Sequence, residues 1–365
     1  MSAEPIARVE RELAQRFGCC AAVVLGSGTA ALFCAFESLR GRFDDLEPVV
    51  IFPETTCETA VNAAVFAGWM PRFCDVHPDT ALMDASSARK AVWQHEAQAV
   101  VPTHIYGHQV DMDALRQQTD SSVALIEDAA QSYGREPLSK NAAVRSDMSV
   151  ISFGPGKLLD CGAGGALLCD DPSQAEACRR IAARLPTDDS SAVQRRALVM
   201  TQMLAARKTH RTDRAALLRR QWQVLAEHRD AYLNQCMPET AQRILTALPQ
   251  METAARTRWA VTRHLDELFS GRPGLRLPRR DGHEVLWRYS FFVDGDGARD
   301  EWARRMGRAG ASVSKLFAPC SVKFSVNTVA GPGAALVAST VINIQYPAER
   351  AAHEPLLRAI EKELN

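Results

Sequence analysis

The sequence predicts an α/β fold: a mostly parallel central sheet in a large domain, then a smaller C-terminal α/β domain. Residues 1–170 alternate short β-rich runs with amphipathic helical runs, the pattern of parallel strands joined by crossover helices. Residues 172–232 are rich in Ala, Leu, Arg and Gln and poor in β-branched residues, which reads as several helices. From residue 239 a long helical run leads into two more β-like runs and two more helices, together a common domain size. The chain has 365 residues, of which 46% are hydrophobic: enough for a sizeable core and too many for a disordered chain.

In chain order, the first strands are CAAVVLGS, PVVIFP, PRFCDV, AQAVVPTHI, SSVALIEDA and SDMSVISF. Helical runs at 29–39, 57–67, 87–96 and 112–118 lie between most of them. The Arg-rich stretch that follows has interleaved Asp and Glu and no aromatic platform, so it reads as solvated helices rather than a nucleic-acid face. Residues 239–268 form a long helix with a kink or break at Pro249, which cannot donate a helix hydrogen bond. VLWRYSFFVDG and STVINIQYP supply the last strands, with helices near 299–309 and 350–363. The expected boundaries are a large domain at 1–238, with a helical insertion at about 187–232, and a linking helix and small domain at 239–365.

Several function classes are excluded. Lys+Arg and Asp+Glu both number 43, so the basic footprint of a nucleic-acid binder is missing. No apolar run approaches the ~18–20 residues of a membrane span. The N-terminal stretch has no apolar signal core, which predicts a cytoplasmic protein. Ten cysteines form no C-x-x-C pair, so they read as free thiols in a reducing compartment and not as a metal site.

Ligands of parallel sheets sit at the carboxyl ends of strands, and three segments there carry chemistry. Lys157 follows the run MSVISF inside SFGPGKLLDCGAGGALL, where glycines permit close backbone approach to a ligand. A partly desolvated lysine there can form a Schiff base with a carbonyl cofactor; otherwise it is a surface lysine in a glycine-rich turn. Asp128 ends the apolar strand VALIED, where a carboxylate can face a buried heterocyclic nitrogen or simply cap a helix. Ser27, Gly28, Thr29 and Ala30 end one strand and open a helix, an anion site suited to phosphate or an ordinary cap. A phosphate cradle after one strand, a carboxylate after another and a lysine after a third are the set that pyridoxal phosphate requires.

With these segments in place, the sequence resembles the DegT/DnrJ/EryC1/StrS aminotransferases, the sugar-aminotransferase branch of fold-type I pyridoxal-phosphate enzymes. FGCCAAVVLGSGTAAL, PETTCETAVNAAVFAGWMPRFCDVHPDTALMD, VPTHIYGHQVDMDAL, IEDAAQSYG and SFGPGKLLDCGAGGALL match the family's segments in order. The resemblance implies that Lys157 carries the cofactor as a Schiff base and shuttles the proton, and that Asp128 pairs with the pyridinium nitrogen. It places Gln131 near the ring oxygen, and Ser152, Gly28 and Thr29 on the phosphate. It makes Asn234, in LNQCMPETAQRIL, the residue that reaches the partner's phosphate site in a homodimer with shared active sites. Cys57 aligns where members often stack an aromatic on the cofactor ring. His104, Tyr106, His108, Lys315 and Trp287 are further candidates for the cleft.

Two departures set expectations. The chain starts later than typical members, which predicts a more open substrate entrance. The span from Lys157 to Asn234 is longer than usual, which makes the helical stretch near 187–232 an insertion that covers the entrance or binds a partner. The implied activity is amino transfer from glutamate or glutamine to a ketone, a keto-sugar nucleotide or a cyclitol. Two alternatives stand beside it. One is a lyase or dehydratase of the same family, although the dehydratases replace the lysine by histidine. The other is a non-catalytic binding protein on this scaffold.

Overall fold

Strands form where apolar residues run unbroken, because the inner strands are covered on both faces. In the computed structural model, Ala124–Asp128, Met148–Ser152 and Gly165–Cys169 are buried at every position. The structure describes residues 4–41, 47–132, 146–187, 192–210, 213–280, 282–295, 297–324, 329–347 and 349–364.

In order, the first half comprises α1 (Glu4–Phe17), β1 (Ala21–Leu25), α2 (Gly28–Arg40), β2 (Val49–Pro53), α3 (Glu58–Phe66), β3 (Met70–Cys74), α4 (Ala85–His95), β4 (Ala99–Val100), α5 (Met112–Gln118), β5 (Ala124–Asp128), β6 (Met148–Ser152) and β7 (Gly165–Cys169). The second half comprises α6 (Pro172–Ala182), α7 (Ala192–Thr209), α8 (Arg214–Glu227), α9 (Pro238–Ala247), α10 (Met251–Phe269), β8 (Leu275–Arg276), β9 (Arg288–Val293), α11 (Ala298–Arg308), β10 (Val313–Ser314), α12 (Cys320–Lys323), α13 (Pro332–Thr340), β11 (Val341–Gln345) and α14 (His353–Leu364).

The large sheet has the order β1-β7-β6-β5-β4-β2-β3. Its pairs are parallel except at β7, which runs antiparallel to both β1 and β6. The sequence reading did not identify β7. GALLC has no β-branched residue, so its strand state comes from its two neighbours rather than from propensity. One sheet face packs on α2, α3 and α6, through Phe33, Phe36, Val61 and Cys178 among others. The other face packs on α1 and α9 at one end and on α4 and α5 at the other.

The predicted break at Pro249 is present: α9 stops at Ala247, a 3-10 turn covers Leu248–Gln250, and α10 follows. The break splits the expected linking helix between two cores. Ala241, Ile244 and Leu248 join Val9 and Leu13 of α1, whereas Val261, Leu265 and Phe269 of α10 join the C-terminal core. That core lies on the antiparallel sheet β10-β11-β9-β8, with α11 and α14. The opposite face of this sheet meets the large sheet's loops, where Phe292 and Val341 pack with Ile105, Tyr106 and Phe317. The segment carrying α12 and α13 returns to the large unit. Glu54 accepts hydrogen bonds from Cys320 and Ser321 (its backbone and side chain respectively), and Asp75 accepts two from the Gly333 and Ala334 amides.

Candidate active site

Several strand ends of the large sheet converge, and each brings a different chemical group. β1 ends in the turn that opens α2. Ser27 caps this helix: its Oγ accepts the Ala30 N–H at 3.0 Å and donates to the Tyr232 carbonyl at 2.8 Å. The first amides of α2 have no preceding helical carbonyl to bond, and the helix dipole adds partial positive charge there. Ser152, at the end of β6, lies against this turn: a Cβ added to Gly28 would stand 3.3 Å from the Ser152 Cβ. Ser152 Oγ accepts the Gly154 N–H at 3.3 Å, which leaves the hydroxyl proton for another acceptor. β7 fits beneath because its first residue is Gly165; a Cβ there would come within 2.4 Å of the Gly28 nitrogen.

Asn234 is 1% exposed, and neither atom of its amide group has a partner among the described residues. Its main-chain carbonyl accepts the Gly26 N–H at 3.0 Å, and a Cβ on Gly26 would lie 2.0 Å from its Oδ1. Asn234 is therefore enclosed within its own chain, beside that chain's own anion-binding turn.

Asp128, 4% exposed, is the last residue of β5. Burial raises its pKa; the Ala130 amide (3.1 Å) and the neighbouring Lys157 work the other way. The adjacent Glu127 points to the other side of the strand. There it accepts a hydrogen bond from His104 Nε2 at 2.6 Å and one from Ser149 Oγ. The Val110 amide donates to His104 Nδ1 at 3.0 Å, which assigns the ring hydrogen to Nε2. Gln131 Oε1 accepts the Tyr106 N–H at 2.9 Å, in a turn where Tyr106 adopts a φ of +58°.

Lys157 follows β6 in a turn closed by its own amide on the Gly154 carbonyl at 3.2 Å. Arg258 of α10 holds this turn from the other side by donating to the Lys157 carbonyl at 2.7 Å. The Lys157 Nζ lies 4.8 Å from the centroid of the Trp287 ring. Burial lowers the pKa of this amine; the Cys57 thiol and the Asp128 carboxylate oppose the shift, and Arg288 and Arg258 add to it. Cys57 precedes α3, with its Sγ 3.1 Å from Thr59 Oγ1, and packs beside Trp287, Leu316 and Phe317.

Lys157, Asp128, Cys57, Gln131, Ser152, Gly28 and Thr29 thus cluster at one end of the sheet. Of the further candidates, Trp287 stands beside the Lys157 amine, whereas Tyr106 is fully buried and its hydroxyl donates to the Leu316 carbonyl. His108 is fully buried, with its pKa pushed down to about 3 by burial and by Arg280, and both ring nitrogens lack a partner among the described residues. Lys315 pairs with Asp300 away from the cluster. Tyr133 and Gly134 of the IEDAAQSYG match lie outside the described residues. The sequence reading missed Arg258, Arg288 and Glu127. Arg288 carried a signal, a charge at the head of an otherwise apolar strand.

The residues fit a phosphorylated aldehyde with a ring nitrogen. Amides and a hydroxyl form an anion cradle, a buried carboxylate stands ready for a ring cation, and an amine between them gives up its proton readily. The model described as the DegT/DnrJ/EryC1/StrS aminotransferase family matches residues 2–342. A dTDP-3-amino-3,4,6-trideoxy-alpha-D-glucose transaminase of Micromonospora megalomicea subsp. nigra is 35% identical over 181 residues, covering 49% of this chain and 47% of that protein. An L-glutamine:2-deoxy-scyllo-inosose aminotransferase of Streptoalloteichus tenebrarius is 29% identical over 277 residues, covering 73% of this chain and 64% of that one. The chain spans about half the length of the curated relatives it matches, 47% for the first of them. The crystal structure of S. venezuelae DesV shares the fold, with a TM-score of 0.74 at 22% identity over 99% of this chain and 89% of that chain.

Proposed function

The chain belongs to the DegT/DnrJ/EryC1/StrS aminotransferase family, and from that membership we propose that it is a pyridoxal-phosphate-dependent aminotransferase. Its fold is the fold-type I architecture that the resemblance implied. The amino group passes from glutamate or glutamine to a ketone, a keto-sugar nucleotide or a cyclitol. The relatives named for a dTDP-amino sugar and for scyllo-inosose support that substrate class. One observation carries the reading: an amine with a lowered pKa, within charge range of a buried carboxylate, next to a helix-start anion cradle.

Bound there, pyridoxal phosphate supplies an aldehyde that captures amines and a protonated ring that takes up the electron pair released from carbon. The Gly28 and Thr29 amides and the Ser152 hydroxyl would hold the phosphate. Asn234 brings an unpaired amide beside the same turn. The Asp128 carboxylate keeps the proton on the ring nitrogen, since a buried anion favours a neighbouring cation. Gln131, fixed by the Tyr106 amide, would stand near the ring oxygen, and Cys57 would pack against the ring. The Lys157 amine, neutral more readily than an exposed lysine, removes the proton from the donor carbon and returns it one position away. Tyr106, Phe317 and Trp287 wall this side of the cleft against water.

We further propose a homodimer and a cytoplasmic setting. Ten free cysteines, all but Cys20 and Cys57 buried, support a reducing compartment. No described helix is long and apolar enough to cross a membrane. The test is direct. Purified protein mixed with pyridoxal phosphate should absorb near ~420 nm, and Lys157→Ala should not. L-glutamate with a keto-sugar nucleotide or cyclitol ketone should then yield 2-oxoglutarate. Loss of water from the substrate without 2-oxoglutarate would assign elimination instead, and a protein that takes up no cofactor would end the proposal.

A further inference from the structure

We propose that Glu127 and His104 are positioning residues, which together fix Asp128 and Gln131 in one frame for the ring of the cofactor; this rests on the pyridoxal-phosphate reading above. Asp128 stands where the sheet runs out of regular pairing on one side. β5 pairs there with β4, and β4 is only two residues long, Ala99–Val100. Beyond it the chain continues as an irregular segment, yet this segment clasps both main-chain groups of Asp128. The Asp128 N–H donates to the Pro102 carbonyl at 2.9 Å, and the Asp128 carbonyl accepts the His104 N–H at 3.1 Å. Whatever holds residues 102–104 in place therefore sets where the Asp128 carboxylate lies.

The Glu127 side chain supplies that hold. Neighbours on a strand point to opposite faces, so Glu127 lies behind the sheet from Asp128. Its carboxylate accepts from three groups: His104 Nε2 at 2.6 Å, Ser149 Oγ, and Ser146 Oγ at 3.2 Å. Ser149 belongs to β6, so this one carboxylate ties β5, β6 and the segment after β4 together. Glu127 is 4% exposed, His104 3% and Ser149 0%. Taking a carboxylate and an imidazole out of water is costly, and apolar side chains of similar volume often serve stability as well. A buried polar link kept at the shoulder of Asp128 is accounted for by the geometry it imposes.

The same histidine reaches Gln131. The Val110 amide donates to His104 Nδ1 at 3.0 Å, and the Gly107 amide donates to the His104 carbonyl at 3.1 Å, which closes the turn at 104–110. Inside it Tyr106 stands at a φ of +58°, a left-handed conformation that a bulky residue keeps only when its surroundings impose it. That conformation aims the Tyr106 N–H at Gln131 Oε1, 2.9 Å away. One run of bonds thus passes from Glu127 through His104 and the turn to Gln131, and Asp128 is the residue next to Glu127. A charge-assisted hydrogen bond between a ring N–H and a carboxylate is short, about 2.7–2.9 Å, and directional. A slack strand end loses that bond first, while the separate phosphate cradle is untouched.

The test reads the bound ring and not turnover. Wild type, Glu127→Met, Glu127→Gln and Asp128→Asn are loaded with pyridoxal phosphate labelled with nitrogen-15 in the ring, whose chemical shift differs widely between protonated and neutral rings. Asp128→Asn marks the signal of a ring without its carboxylate. Glu127→Met keeps the bulk and cuts the link to His104. Its ring signal should move from the wild-type position toward that of Asp128→Asn, and its dissociation constant for the cofactor, followed at ~420 nm, should rise about 10-fold. Glu127→Gln still accepts from His104 Nε2 and can donate to the two serine hydroxyls, so it should keep the wild-type signal. If Glu127→Met does not fold, His104→Asn decides: it keeps an acceptor for the Val110 amide, falls short of Glu127, and should move the signal the same way. A folded variant that is less stable in urea but shows the wild-type ring signal overturns the proposal, because the link then serves stability alone. A Glu127→Gln signal displaced as far as that of Glu127→Met also overturns it, since charge and not position would be the cause. A wild type that develops no ~420 nm band, or an Asp128→Asn with an unchanged ring signal, sinks the cofactor reading instead, so the failures are distinct.

Discussion

At the residue scale, Lys157 and Asp128 are pushed in opposite directions by one cause. Burial disfavours both charges, lowering the amine's pKa and raising the carboxyl's. The neutral amine is the nucleophile, so a lowered pKa makes the reactive form available at lower pH. The rate at which cofactor-free protein captures pyridoxal phosphate should therefore rise with pH about a midpoint below lysine's usual ~10.4. Stopped-flow mixing across a pH series measures it, and a midpoint at or above that value contradicts the burial argument. The same shift has a linkage consequence. The folded protein holds fewer protons at Lys157 than the unfolded chain between the lowered pKa and ~10.4, so this group makes stability rise with pH across that window. The stability lost as pH falls through the folded pKa should be absent in Lys157→Met, measured by urea unfolding at several pH values.

At the element scale, the site depends on how β1, β7 and α2 meet. Gly165 lets β7 lie directly under the turn that opens α2. In Gly165→Ala, the new methyl would meet the backbone of Ser27 and Gly28 at 2.4 Å, and backbone cannot swing aside as a side chain can. We expect a loss of roughly 1–3 kcal/mol in denaturant unfolding and weaker binding of inorganic phosphate. Wild-type stability in that variant would mean that the turn shifts to admit a methyl group. Ser27→Ala removes an acceptor for the Ala30 N–H and a donor to the Tyr232 carbonyl together. It should cost about 1–2 kcal/mol by the same measurement. These elements differ in how legible they were. The strand–turn–helix of β1 and α2 is readable from an apolar run ending in Ser-Gly-Thr. β7 was not, because its residues carry no strand preference and only pairing with β1 and β6 makes it a strand.

At the scale of the whole molecule, α7 and α8, between α6 and Asn234, pack on each other as an appended pair. Its base is pinned where Gln235 donates to the Pro186 carbonyl at 2.9 Å and to the Leu185 carbonyl at 2.6 Å. Its small core of Val199, Val224 and Leu225 touches the body through Phe66 and Tyr232. Replacing residues 188–231 by a short Gly/Ser linker should therefore leave a folded, cofactor-binding protein. Uptake of pyridoxal phosphate with unchanged affinity, read at ~420 nm, is the expected outcome. An insoluble or cofactor-free product would show that the hairpin is part of the main core. The C-terminal unit behaves differently. Glu54 and Asp75 tie the α12–α13 segment to the large sheet, and Phe292 packs with Tyr106, so the small sheet forms one wall of the cleft.

What the sequence determined by itself was the alternation of strands and helices, the break at Pro249, and the groups after three strands: the Ser-Gly-Thr turn, Asp128 and Lys157. These are local features, set by hydrophobic period, by proline's missing N–H and by which residue types stand at strand ends. Only the tertiary structure decided that β7 inserts antiparallel, that α9 and α10 serve different cores, and that Asn234 is enclosed beside Gly26. It also decided that Trp287, Arg258 and Arg288, far along the chain, come to surround Lys157. Such meetings depend on packing between distant segments, which no local pattern encodes.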